Sequence, residues 1–338
     1  MTTQITAPQP TAPQPTAAEL YAKVEHVIPA VEWATMADDI EAIVRLKRER
    51  NAVILGHNYM KPEIFHGVSD IVGDSLALAR EAMTVDADVI VLAGVHFMAE
   101  TAKLLNPAKT VLIPDLRSGC SLAESITADD VRELRRQHPG VPVVTYVNTS
   151  AAVKAESDVC CTSGNAVQII ESLGVPTVIM IPDRFLAANI ARQTGVEVIT
   201  HPGACEVHER FTPADITELR QDHPGLTVLA HPECPPEVVD VADYAGSTAQ
   251  MVTFVAERQP SQVALITECT MSDNVAQAHP DLDFIRPCNL CPHMKRNTLG
   301  AIRHALETMT HEVTVDEDVA ERARASVQRM LDLSAPGK

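Results

Sequence analysis

The sequence predicts an α/β protein of three similar small three-layer domains, their parallel sheets set around a pseudo-threefold axis with an active site at the centre. Three features predict it. One helix signal recurs along the chain, β-branched runs alternate with helices of roughly 10 to 15 residues, and each repeat closes on a strand followed by a cysteine. Strands separated by such helices are joined by right-handed crossovers, which make neighbouring strands parallel.

From the N-terminus, residues 1 to about 18 are mostly Thr, Ala, Pro and Gln, with no charge before Glu19. Such a segment buries too little apolar surface to offset its ordering entropy, so a disordered tail is expected, with a lead-in ending near residue 36. The repeats are expected over residues 37–126, 127–211 and 212–293. The two clear copies of the helix signal, Thr127–Gly140 and Thr212–Gly225, are offset by 85 residues (127 to 212), with Asp130/Asp215, Leu134/Leu219 and His138/His223 in register. Each begins at a threonine suited to an N-cap and stops at His-Pro-Gly. A fainter copy opens at Ala37-Asp38-Asp39-Ile40. A first strand follows each helix (Ala52–Gly56, Val141–Thr145, Leu226–Ala230), then a polar loop, a helix and a second apolar strand (Asp88–Ala93, Pro176–Ile181, Gln262–Ile266). Two C-terminal helices within 294–334 are expected to pack back on the first repeat.

Bulk composition narrows the function. A formal charge of −18 opposes nucleic-acid binding, which needs a basic patch. No apolar run approaches the ~18 residues that cross a bilayer, and the N-terminus has neither a basic start nor an apolar core of a signal peptide, so a cytoplasmic location is expected. Eight cysteines in such a chain do not read as a disulfide framework.

Three of those cysteines keep the register of the repeat. Val111–Asp115 leads to Cys120, Val196–Thr200 leads to Cys205, and Asp283–Pro287 leads to Cys288 and Cys291. The offsets are 85 (120 to 205) and 86 (205 to 291), or 83 if Cys288 is used. Three thiolates converging from equivalent places suit a soft metal or an iron–sulfur cluster; the register does not choose between Cys288 and Cys291. Cys160, Cys161, Cys234 and Cys269 lie outside it and read as packing residues. Adjacent Cys160 and Cys161 would point to opposite faces of a strand.

The ends of the first strands carry His57-Asn58-Tyr59, Tyr146-Val147-Asn148 and His231-Pro232-Glu233, and helix starts follow at Ser75, Ser163 and Ser247-Thr248. Helix N-termini bind anions, and three such starts in register point to one shared anionic ligand. His57, His231 and Glu233 are candidate acid–base groups. No phosphate-binding Gly-x-x-x-x-Gly-Lys loop or dinucleotide fingerprint occurs.

Gly56-His-Asn-Tyr59, Asp70-Ile-Val-Gly-Asp-Ser75, Tyr146-Val-Asn-Thr-Ser150, Cys161-Thr-Ser163, Val207-His-Glu-Arg210, His231-Pro-Glu-Cys234, Gly246-Ser-Thr248 and Cys291-Pro-His-Met-Lys295 together resemble the quinolinate synthase family, over about Asp39 to Ala301. The resemblance implies condensation of iminoaspartate with dihydroxyacetone phosphate to quinolinate, with loss of phosphate and two waters, in NAD biosynthesis. It implies a 4Fe–4S cluster held by Cys120, Cys205 and Cys291, with one iron open as a Lewis acid. It implies substrate contacts from His57, Tyr59, Ser75, Tyr146, Asn148, Ser163, His231, Ser247 and Thr248, with Glu233, Tyr59 and His231 catalytic. It adds transient contact with aspartate oxidase, the source of iminoaspartate, as an expectation. Some members carry further cysteines just upstream of the third ligand in a CxxCxxC run, and of these this chain keeps only Cys288. Two readings of other classes stand beside it, a structural-zinc α/β binding protein and a metal-free sugar-phosphate enzyme.

Overall fold

The computed structural model describes residues 15–334. The first sheet follows α1 (Ala17–Tyr21) and α2 (Ala30–Glu49); it holds β1 (Ala52–His57), β2 (Ile71–Gly73), β3 (Val89–Ala93) and β4 (Thr110–Leu112), with α3 (Ser75–Ala82) and α4 (His96–Leu105) between strands. In the second, α5 (Ser121–Glu124) and α6 (Ala128–Gln137) precede β5 (Val143–Tyr146), α7 (Ala151–Ala155), β6 (Val159–Cys161), α8 (Ala166–Ser172), β7 (Thr177–Ile181), α9 (Arg184–Ala191) and β8 (Glu197–Thr200). The third runs α10 (Pro213–Asp222), β9 (Thr227–Ala230), α11 (Pro236–Val241), β10 (Tyr244–Ala245), α12 (Thr248–Arg258), β11 (Gln262–Ile266), α13 (Thr270–Ala278) and β12 (Asp283–Ile285), and α14 (Leu299–Thr308) and α15 (Glu317–Leu333) close the chain.

All three sheets share one topology, β2-β1-β3-β4, β6-β5-β7-β8 and β10-β9-β11-β12, with every pairing parallel. The chain leaves the first and third strands of each sheet in opposite directions, and a crevice opens beyond their carboxyl ends. Burial explains why these runs become central strands: all five residues of β3 are buried, as parallel strands covered on both faces require. The helix signals act as read. Thr127 and Thr212 form capping boxes with Asp130 and Asp215. The stops need glycine, because Gly140 and Gly225 take φ of 82° and 89°.

A second repeated device is visible only in three dimensions. Asp70, Asp158 and Asp243 each precede the edge strand and accept a hydrogen bond from the first strand, at Ile54 N (2.8 Å), Val143 N (2.7 Å) and Val228 N (2.7 Å). Each also pairs with a cation of the preceding helix, Lys47 at 2.6 Å, Arg135 at 2.8 Å and Arg220 at 2.9 Å. The carboxylate thereby ties helix, first strand and edge strand together.

Three expectations need correction. The tail expectation fails at residues 15–18: Thr16 caps α1 in a capping box with Glu19, Ala17 and Leu20 are buried, and the Trp33 indole donates to Ala17 O at 2.9 Å. Leu20, Val24 and Ile28 supply the apolar surface that orders this segment; residues 1–14 lie outside the described residues. The C-terminal helices divide between repeats, α14 on α2 and α15 across α7 and β6 of the second sheet as well as α4 of the first. Cys269 is not a lone packing thiol, for it forms a disulfide with Cys288. The third and fourth strands of a parallel sheet end side by side, here with Glu268 bridged to Asn289, and linear spacing does not reveal that neighbour. No described helix is long and apolar enough to cross a membrane.

Candidate active site

The three cysteines in register meet at one cavity, which all three repeats line. Each stands at the start of a helical turn, its carbonyl accepting from the amide four residues on: Glu124 N at 3.0 Å, Glu209 N at 3.0 Å and Lys295 N at 3.2 Å. All three thiols are free and only partly exposed. Burial pushes the Cys120 thiol up to about 12 and raises Cys205 and Cys291 as well, while amide donors of the following turns pull the other way. Three half-buried thiols that resist ionising, each facing amides of the turn that follows it, are matched to a soft cation that would offset their charge. The loops are tightly fitted. A Cβ at Gly119 would fall 2.5 Å from Glu124 Oε1 and 3.3 Å from His293 Nδ1, and His293 pairs with Glu206 at 3.0 Å, joining the loops of Cys291 and Cys205.

Behind the thiols lies a buried acid–base cluster. Glu233 follows β9; its Oε1 accepts from the Tyr146 hydroxyl at 2.5 Å and its Oε2 lies 2.7 Å from His208 Nδ1. Burial alone would raise the Glu233 carboxyl, but His208 and the Tyr146 hydroxyl outweigh it and hold the carboxyl below the usual carboxylate range. Tyr59 shares a 2.6 Å hydrogen bond with Thr267 Oγ1, which lies 2.9 Å from His208 Nε2. Burial, then the charge of Glu233, push both phenols well above their ordinary value, so each keeps its proton. Burial pulls His57 down to about 4 and His231 down to about 3, which leaves both imidazoles neutral. His231 stacks on His208 with centroids 4.7 Å apart, and its Nε2 is 3.2 Å from Ser163 Oγ. The site thus combines one carboxylate, two phenolic donors and neutral imidazoles around a half-enclosed space.

The cavity gathers the first-strand residues expected from the sequence: His57 and Tyr59, Tyr146 and Asn148, His231 and Glu233. Ser75, Ser163 and Thr248 also line it. Ser75 and Thr248 open helices α3 and α12, and Thr248 Oγ1 accepts from Asn58 Nδ2 at 2.8 Å, which joins the first and third repeats. Ser247 is the exception. Its side chain accepts from Gln250 N as the cap of α12, and it is not part of the lining.

Sequence reading gave no role to His208, Thr267, Glu268 or Lys295. His208 sits three residues after Cys205, and with Cys205 and Glu233 it offers three ligand atoms within 4.8 Å of one another. Only its place inside the Val207–Arg210 motif marked it. Glu268 is fully buried, accepts from Cys291 N at 3.3 Å and pairs with Lys295 at 2.8 Å; Lys295 donates to Tyr59 O at 2.9 Å. Removing one partner of a buried pair strands the other charge, so this link fixes the Cys291 loop against Tyr59.

Comparison with known proteins agrees with this geometry. The family model described as quinolinate synthetase A protein matches residues 41–332. Quinolinate synthase 1 of Mesorhizobium japonicum is 70% identical over 314 residues, 93% of this chain and 97% of that protein. The quinolinate synthase of Agrobacterium fabrum is 69% identical over 316 residues, 94% of this chain and 92% of its own. That of Caulobacter vibrioides is 59% identical over 323 residues, 94% and 88%. With matches of this extent over the repeats that build the cavity, the chain belongs to the quinolinate synthase family.

Proposed function

We propose that this chain makes quinolinate for NAD biosynthesis by condensing iminoaspartate with dihydroxyacetone phosphate, losing phosphate and two waters. The observation that carries the reading is the convergence of Cys120, Cys205 and Cys291 on the cavity that also holds Glu233, Tyr146 and Tyr59. A 4Fe–4S cluster bound by these cysteines would keep one iron without a protein ligand and supply a Lewis acid for dehydration. The free thiols at three helical turns fit such a group.

The chain's own residues account for the rest. Amides and hydroxyls at the starts of α3 and α12, through Ser75 and Thr248, with Ser163 beside His231, suit carboxylate and phosphate oxygens. Ring closure moves several protons, and the site offers donors and an acceptor in contact. Glu233 is the base, taking a proton directly or through Tyr146. Tyr59 is the acid, replenished through Thr267 from His208. His231, neutral, orients Ser163 and exchanges protons near Glu233. Burial of this set keeps water from competing for those protons.

Cys205, His208 and Glu233 also form a compact set for a single ion, which favours zinc as the second reading. Anaerobically purified protein given both substrates should form quinolinate, measured by chromatography. Protein with a full complement of iron and sulfide that makes none would overturn the assignment; one zinc per chain with no sulfide would favour the second reading.

A further inference from the structure

Three buried side chains outside the cavity make the same unusual contact. Tyr59, Asn148 and Glu233 occupy matching places, two residues beyond the start of each polar set. In every case the carbonyls on either side of that residue point to one nitrogen. Asn274 Nδ2 donates to Asn58 O at 3.0 Å and Met60 O at 2.7 Å, flanking Tyr59. Asn189 Nδ2 donates to Pro232 O at 2.8 Å and Cys234 O at 2.9 Å, flanking Glu233. Lys154 Nζ donates to Val147 O at 2.8 Å and to Thr149 O, flanking Asn148. All three are almost fully buried.

We propose that Asn274, Asn189 and Lys154 are equivalent positioning residues, each clamping the peptide that aims one cavity side chain at the substrate. The proposal rests on the quinolinate synthase reading of the cavity. Two of the clamps cross between repeats: Asn274 on α13 of the third holds the first, and Asn189 on α9 of the second holds the third. These two asparagines are 85 residues apart (189 to 274), as are the strands before them, β7 and β11. The cycle then requires a residue of α4 to hold the second repeat. In register, 88 residues before Asn189 as β3 is before β7, that residue is Thr101, whose hydroxyl donates instead to Phe97 O. Thr101 is too short to span the small cavity that lies between it and Val147. Lys154, from α7 of the second repeat itself, supplies the missing donor.

Packing alone does not account for Lys154. Its ammonium bonds to two carbonyls and stands 5.4 Å from the centroid of the Phe97 ring. Burying an ammonium in such a place is costly, and an apolar side chain of equal length would fill the space without that penalty. The carbonyls it orders belong to the turn that presents Asn148.

The test is a double-mutant cycle with a second-site rescue. Asn189→Leu, Asn274→Leu and Lys154→Met should each keep the visible spectrum and iron content of wild type, and lower kcat roughly 10- to 100-fold, the scale of a misplaced reacting group. Asn189→Leu should cost little more in a Glu233→Gln background, because it acts through Glu233. Thr101→Asn, filling the cavity beside Val147, should recover turnover lost in Lys154→Met. Additive losses, wild-type turnover in all three, or no recovery by Thr101→Asn would overturn the clamp. Should Asn189→Leu fail to fold, Asn189→Ala leaves room for water; failure of both makes Asn189 a folding residue and overturns the proposal. Wild-type protein that forms no quinolinate sinks the reading of the cavity and this proposal together, whereas active wild type with an additive cycle sinks the clamp alone.

Discussion

The outer shell of the three repeats and their inner ends obey different rules. Outside, the repeats are near copies: Thr127 and Thr212 cap α6 and α10 in the same way, and Asp70, Asp158 and Asp243 make the same bonds to first strand and helix. Inside, only the cysteines and the backbone trace are shared. The residues at the strand ends diverge into His57 and Tyr59, Tyr146 and Asn148, and His231 and Glu233. Symmetry places three thiols at one centre, and broken symmetry gives that centre the Tyr59 phenol, the Asn148 amide and the Glu233 carboxylate, one from each repeat. Duplication can build the scaffold, but a site that moves protons directionally needs unlike groups.

Substitutions sharpen the contrast in order of size. Replacing Cys120, Cys205 or Cys291 with Ala should remove most of the iron and nearly all turnover, because each supplies one corner of a shared site. Glu233→Gln keeps the size of the side chain and removes its proton transfer, so kcat should fall by about 10² to 10⁴ with the visible spectrum intact. Loss of iron in that variant would make Glu233 structural instead. In the shell the effects should fall on stability alone. Leu20→Ala, which empties a buried site in the core, should cost roughly 2–4 kcal/mol in denaturant melts and leave kcat alone. Thr212→Ala should cost about 1 kcal/mol through loss of its cap, again with unchanged turnover. An activity loss from Thr212→Ala larger than its stability loss would erase the distinction between shell and centre. Smallest of all, Cys288→Ala and Cys269→Ala should keep iron and turnover, since neither residue lines the cavity.

Much of the shell was legible because capping boxes, strand runs and His-Pro-Gly stops are local in sequence. The cysteine register was legible for the same reason, repeated at a fixed interval. The missing parts are contacts between segments far apart in the chain. Thr267 and Lys295 bond to Tyr59 from more than two hundred residues away, and Glu268 pairs with Lys295. The pairing of Cys269 with Cys288 depends on which strands are neighbours, and nothing local in sequence separates Ser247, which caps α12, from Thr248 beside it, which lines the cavity. Order at Thr16–Leu20 was hidden by the surrounding Pro and Gln, although Thr16-x-x-Glu19 is itself a capping box.

The claim that three equivalent strand ends hold one cluster is tested most directly by iron and acid-labile sulfide analysis of anaerobically purified protein, wild type beside Cys205→Ala. The account predicts about four irons and four sulfides per chain in the brown wild type, and little of either in the variant. One zinc without sulfide, or a variant that keeps its full iron, would contradict it.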